Sequence, residues 1–302
     1  MAIKITQDKI ASVHVSNPSH AQGSVSGYTS GGTASTNVID KFPFASDANA
    51  TDVGDLTVLR GQICGGQSSV VSGYTSGGTA PPYSTVIDKF PFAADGNATD
   101  VGDLTVARQT VAGQSSTVSG YSSGGHFPTS TVIDKFPFAS DGNATDVGDL
   151  TQARYVAAGQ SSTVSGYTSG GMDPGNWSMI IDKFPFAADG NATDVGDLTV
   201  ATAGPAGQSS DVSGYASGGS PAVVATIEKF PFAADGNTTD VGDLTQGRTG
   251  AAGQSSDASG YASGGTPPVV GTIDKFPFAY DGNATDVGDL TQGRYKSAGQ
   301  QV

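Results

Sequence analysis

Asp95, Asn97, Thr99 and Asp103 stand at offsets 1, 3, 5 and 9 of one short loop. Oxygen side chains alternating in this way can converge on a hard cation that takes roughly six to eight oxygens, and calcium is the ion the spacing suits. Asp100 stands where such loops turn on glycine, and Thr99 replaces a carboxylate or amide. The same residues also suit an Asx-rich turn that bonds its own backbone. A second recurring group is the arginine of an LTxxR string, at Arg60, Arg108, Arg154, Arg248 and Arg294, with Thr202 in the fourth copy. A ring of such arginines at a channel mouth would attract an anion. Each also follows an aspartate by five residues, as Arg108 follows Asp103, so pairing with that or a neighbouring carboxylate is the competing expectation. Catalytic inventories are thin: three histidines (His14, His20, His126), one cysteine (Cys64), no nucleophile elbow and no phosphate loop. Paired aspartates could hydrolyse glycosides, but a catalytic pair would break a repeat rather than recur in every copy. The chain is expected not to be an enzyme and to carry no cofactor beyond calcium.

These residues recur because the chain repeats. The tyrosine of a GYxSGG block falls at Tyr28, Tyr74, Tyr121, Tyr167, Tyr215 and Tyr261, in steps of 46, 47, 46, 48 and 46 residues. The first phenylalanine of KFPF falls at Phe42, Phe90, Phe136, Phe184, Phe230 and Phe276. Each unit holds four short strand signals separated by Gly, Asn, Asp and Ser turns, and nowhere does a helical period run for a useful length. Four strands of this length cannot cover both of their faces, and radial stacking of copies solves that problem. The predicted fold is all-β: a six-bladed β-propeller of four-stranded antiparallel blades over residues 21–302, with residues 1–20 as an N-terminal arm. Closure is also predicted. The chain ends on another first-strand signal, LTQGRYKSAGQQV, while the first unit begins poorly, so Arg294 to Gln300 is expected to complete blade one. Recurrent positions are expected to serve the scaffold: Gly124 and Gly125 for positive φ or close approach, Tyr121, Phe136 and Phe138 between blades.

The 302 residues include 44 glycines and carry a formal net charge of −14. An acidic surface repels phosphate backbones and anionic lipid, so nucleic acid is not an expected partner. No apolar run approaches the roughly 18 residues of a membrane helix and the start lacks a secretory pattern, so no membrane insertion and synthesis in a cytoplasm are expected. A lone cysteine excludes an internal disulfide.

A diglycine after a strand tyrosine, an arginine before an inner strand of small residues and a later aromatic, in a unit near 50 residues, resemble the kelch repeat over roughly residues 21–302. The departure is at the usual tryptophan, whose place is taken by the KFPF phenylalanines, while Trp177 lies in a loop. The string IDKFPFAxDxNATDVGDLT, repeated in tandem, also resembles repeat regions of virion structural and tail-fibre proteins of bacteriophages, including cyanophages.

Kelch topology implies that the loops after the diglycine share a face with the LTxxR turns, opposite the DGNATD turns. These loops are where the copies differ most: TASTN, TAPPYST, HFPTST, MDPGNWSM, SPAVVAT and TPPVVGT. Tyr83, His126, Phe127, Met172, Trp177 and Met179 thereby gather on one side as candidate ligand contacts, or else pack on one another as plugs. In the arm, Ile3, Ile5, Ile10, Val13 and Val15 alternate with polar residues over Ala2 to Asn17, which predicts a strand. It would pair with another virion protein, a further copy of the chain, or its own propeller. The expected role is a non-enzymatic phage virion or tail-fibre component, on the particle surface, recognising a host-surface glycan or protein. The alternatives are a cytosolic kelch-like adaptor and a calcium-dependent adhesin.

Overall fold

A computed structural model describes residues 22–33, 36–62, 64–79 and 83–302, and no helix is present among them. Six four-stranded antiparallel sheets form the ring. Blade three is representative, with Ala112–Ser115 innermost, then Ser119–Ser123, Val132–Pro137 and Thr145–Asp149, each strand paired with the next. Blade one takes its innermost strand from the chain's far end: Ala298–Gln301 pairs with Ser26–Ser30, placing Gln300 opposite Tyr28. The predicted closure is therefore present, with Arg294 ahead of the strand rather than in it. The predicted strand of the arm lies outside the described residues.

Alternation along the strands aims the recurrent tyrosine and the two recurrent phenylalanines of each blade at opposite neighbours. Tyr121 packs on Phe184 and Phe186 of blade four, with ring centroids 5.5 and 4.8 Å away. Phe136 and Phe138, on the other face of blade three, pack on Tyr74 of blade two at 5.6 and 4.8 Å. The same trio closes the ring between blades six and one, where Tyr261 meets Phe42 and Phe44 at 5.5 and 4.8 Å. Each such pair contributes about 0.5–1.5 kcal/mol beyond its buried area.

Two glycine positions are dictated by geometry. Gly124 and Gly125, which turn the chain out of the second strand, have φ of 65° and 114°, as expected from the diglycine. At the axis, Gly66, Gly113, Gly159, Gly207, Gly253 and Gly299 touch one another in sequence around the ring; a Cβ on any one would overlap the carbonyl oxygen of its neighbour. Any larger residue would force the inner strands apart.

Polar side chains lace the blades together. Gln114, buried, donates from Nε2 to the Tyr167 carbonyl (3.0 Å) and Thr168 Oγ1 (3.1 Å) of blade four, as well as to Ser123 Oγ in its own blade (2.9 Å). On the face of the DGNATD turns, six lysines reach the next blade, from Lys41 to Asp95 (2.9 Å) round to Lys275 and Asp47 (3.1 Å). The Asp95 hydrogen bond holds Lys41 above its ordinary pKa, and Lys89, Lys135, Lys183 and Lys229 behave alike. Burial raises the phenols of Tyr28, Tyr74, Tyr121, Tyr167, Tyr215 and Tyr261. Both groups hold protons more tightly folded than unfolded, so the stability they confer is complete below about pH 10 and falls as pH rises through the folded-state values. The propeller is expected to unfold cooperatively in alkali, with tyrosinate absorbance and the loss of β-sheet circular dichroism rising together. Phenols that ionise while the sheet signal persists would contradict this.

Candidate functional site

The recurrent charged residues are turned inward. Arg60, Arg108, Arg154, Arg248 and Arg294 are at most 1 % exposed, so they form no accessible ring at a channel mouth. Each pairs with the aspartate of the IDKFP strand in the blade it leads into: Asp88, Asp134, Asp182, Asp274 and Asp40, at 2.6–3.0 Å. The carboxylate five residues upstream is used otherwise, since Asp103 accepts a hydrogen bond from Thr85 Oγ1. Thr202 leads into blade five, where two further residues differ as well. Glu228 replaces the aspartate and Thr238 the alanine of NAT. Glu228, 6 % exposed, accepts hydrogen bonds from Thr199 N, Thr199 Oγ1 and Thr238 Oγ1.

The four candidate calcium ligands are also engaged, each with a different partner. Asp95 pairs with Lys41, and Asn97 Oδ1 accepts the Asp55 N–H of the preceding blade at 3.1 Å. Thr99 Oγ1 donates to the Lys89 carbonyl at 3.5 Å, and Asp103 takes Thr85. Asp100 Oδ1 accepts the Gly102 N–H at 3.2 Å, an Asx turn. The loop clips each blade onto the one before it. Among the described residues, no group of three or more His, Cys, Asp or Glu is arranged to hold a metal ion.

Most of the variable-loop residues do come together, on the face opposite those clips. Tyr83 and Phe127 stack with centroids 4.7 Å apart and planes 8° from parallel. His126 contacts Phe127 at 3.8 Å and stacks on Tyr155 at 4.1 Å and 12°. Backbone bridges fix the row. His126 and Gln109 exchange hydrogen bonds of 2.8 and 3.3 Å, and Met172 and Tyr155 exchange bonds of 2.8 and 2.9 Å. Met172–Asp173 and Asn176–Trp177 form a small hairpin, held where Asp173 Oδ1 accepts the Asn176 N–H at 3.0 Å. The row thus runs across blades two to four and ends at Trp177. Burial lowers the His126 pKa, which keeps the imidazole neutral and suited to stacking.

Tyr83, His126 and the hidden faces of the row pack on one another as plugs, yet Phe127 stays 47 %, Trp177 42 % and Met179 37 % exposed. Met179 stands apart from the row, at the end of its loop. Tyr155 was missed. Its signal is the RY pair, which follows the LTxxR turn only at Arg154–Tyr155 and Arg294–Tyr295 and so breaks the repeat on this same face. Apolar and aromatic surface on loops over a rigid ring can bind; among the described residues nothing on this face assembles a nucleophile with a base. No protein-family model matches this chain, and no curated protein matches it in sequence.

Proposed function

We propose that the chain is a non-enzymatic component of a bacteriophage particle, a tail-fibre or other surface protein whose propeller presents its loop face to a host-surface ligand, with a glycan as the ligand class. The observation that carries this reading is where the sixfold repetition fails. Lysine, asparagine and glutamine positions recur in every copy, and the arginine in five of six, and they close the ring on itself, while the loop face gathers the largest set of unlike residues, and there Phe127 and Trp177 leave ring surface open to solvent. Exposed aromatics on a rigid support lose little entropy on binding and stack on the apolar faces of sugar rings. The resemblance of the repeat to virion proteins supplies the biological setting.

Mass spectrometry of purified particles from the source tests that setting, and absence of the chain from particles overturns it. For the face itself, Phe127→Ala combined with Trp177→Ala is expected to weaken binding to host cells or their glycans about tenfold or more. The thermal midpoint should stay nearly unchanged, because neither ring is buried. Unaltered binding would remove the loop face as the recognition surface.

A further inference from the structure

The axis of the ring encloses a cavity of about 100 Å3 whose walls carry no charged side chain. Its loop-side end is a collar that includes Cys64, Val111 and Ser297, its waist is the glycine ring, and its far end is lined by Ser68, Ser115, Ser161, Ser209 and Ser255. These five serines are joined head to tail. The backbone N–H of Ser68 donates to Ser115 Oγ, that of Ser115 to Ser161 Oγ, that of Ser161 to Ser209 Oγ and that of Ser209 to Ser255 Oγ, all at 2.9–3.0 Å. Gln301, in the sixth place, donates its N–H to Ser68 Oγ at 3.0 Å.

Every one of these hydroxyls therefore accepts a hydrogen bond, and among the described residues none donates one. All five are at least nine-tenths buried. At the other end Ser297, 5 % exposed, has an Oγ with no hydrogen-bond partner at all among the described residues. Buried hydroxyl protons left unspent are costly, and a native fold that repeats the same unspent proton five times around one axis needs an acceptor there. Gln114, Gln160, Gln208 and Gln254 do not supply it, because they spend both ends of their amides on the blades, as Gln114 does with Ser123, Tyr167 and Thr168.

We propose that the serine ring is a binding site for a small inorganic anion of the halide class, held on the propeller axis by converging hydroxyl protons. This site is independent of the loop-face reading. The net charge of the chain does not oppose it. Exposed aspartates such as Asp52, Asp100 and Asp146 lie on the outermost strands, with the breadth of a blade between them and the axis, and salt screens charge over about 8–10 Å. Groups near the cavity favour an anion or are neutral. Burial pushes the Cys64 thiol up to about 11, so it stays uncharged. Lys296, whose Nζ donates to Gln62 Oε1 at 2.7 Å, lies beside the loop-side mouth and has no carboxylate within ion-pair distance among the described residues. There a chain of backbone hydrogen bonds joins five of the lead-in segments, Val156 N to Thr110 O, Gly204 N to Val156 O, Gly250 N to Gly204 O and Lys296 N to Gly250 O, which narrows the entrance.

Bromide is the probe, because it scatters anomalously and fits where chloride fits. Crystals of the full chain grown in bromide are expected to show an anomalous peak on the axis at the serine ring. In solution, the thermal midpoint should rise with bromide relative to methanesulfonate at equal ionic strength, as binding to the folded state requires. In Ser115→Ala, and separately in Ser161→Ala, the bromide concentration giving the same rise should increase about tenfold or more, since each removes a donor to a charged group. Density that scatters only as water overturns the proposal. So does a peak without any bromide-dependent midpoint, which would mark an adventitious ion only, and so does a midpoint rise that both variants retain. The wild-type crystal decides the matter even where a variant fails to fold.

Discussion

Replacing Asp134 by alanine is expected to destabilise the propeller by about 3–5 kcal/mol, read as a drop in the midpoint of urea unfolding. Arg108 is 1 % exposed, and among the described residues Asp134 is the only carboxylate that meets its guanidinium, at 2.9 Å. Its other acceptor is the Ser122 carbonyl at 3.0 Å, while Nε and Nη1 already lack one among the described residues. Removing the carboxylate strands a buried cation and also takes the acceptor from Thr105, whose N–H and Oγ1 reach Asp134 at 3.1 and 2.6 Å. Arg108→Thr alone should also be costly, because Asp134 would then keep only Thr105.

Blade five shows how the pair can be dispensed with. There Thr202, Glu228 and Thr238 stand where the other blades carry Arg, Asp and, in the NAT string, Ala. The longer carboxylate reaches Thr238 Oγ1 while keeping both bonds from Thr199, so one neutral donor replaces the guanidinium. Transplanting the set into blade three, as Arg108→Thr with Asp134→Glu and Ala144→Thr, is expected to recover all but about 1–2 kcal/mol of the wild-type stability. The three substitutions share one hydrogen-bonded cluster, so strong non-additivity is the signature to measure. A triple variant as unstable as the sum of its parts would mean that blade five is held by something other than this exchange.

How far the sequence could be read follows from the range of each interaction. Blade number, strand number and ring closure all follow from repeat arithmetic, which depends on no individual contact. Tyr121, Phe136 and Phe138 were legible as inter-blade residues for the same reason: an aromatic that recurs in every copy must meet its own repeat. The partner of Arg108 was not legible, because the nearby Asp103 competes with Asp134, which lies 26 residues further on and returns beside the arginine only when the third strand folds back. In the DGNATD loop, too, the partners lie far away along the chain. Asp95 and Asn97 sit at cation-binding offsets, yet they spend their oxygens on Lys41 and Asp55 of another blade. Spacing along one chain segment carries no information about a donor 42 or 54 residues away. The loop-face residues were found by the opposite criterion, departure from the repeat, and applying it to the RY pairs would have added Tyr155.

Deleting residues 291–302 is expected to leave a chain that does not fold at 37 °C. The segment supplies the inner strand of blade one, and its loss would expose Ser26–Ser30 as an open edge next to the axis. Among the described residues it also supplies every hydrogen bond that the Asp40 carboxylate receives: from Thr291 N at 3.0 Å, Thr291 Oγ1 at 2.7 Å and Arg294 Nη2 at 2.6 Å. Gln300 adds bonds to Ser30 Oγ, the Tyr74 carbonyl and Thr75 Oγ1, at 2.9, 2.9 and 3.0 Å, which tie blade one to blade two. At about 1 kcal/mol net for each neutral bond, and about 3–5 kcal/mol for a carboxylate left buried and alone, the loss matches the whole stability of a typical domain, about 5–15 kcal/mol. Because the segment is continuous, it can be returned as a peptide. Residues 291–302 added in trans should restore the β-sheet circular dichroism of the truncated chain, and the same peptide with Arg294→Ala should fail at equal concentration, since it leaves Asp40 without its cation. If the truncated chain melts at the wild-type midpoint without peptide, the ring is not held by this strand. If both peptides rescue equally, the strand closes the ring through its backbone and Gln300 alone, and the Arg294–Asp40 pair adds nothing to closure.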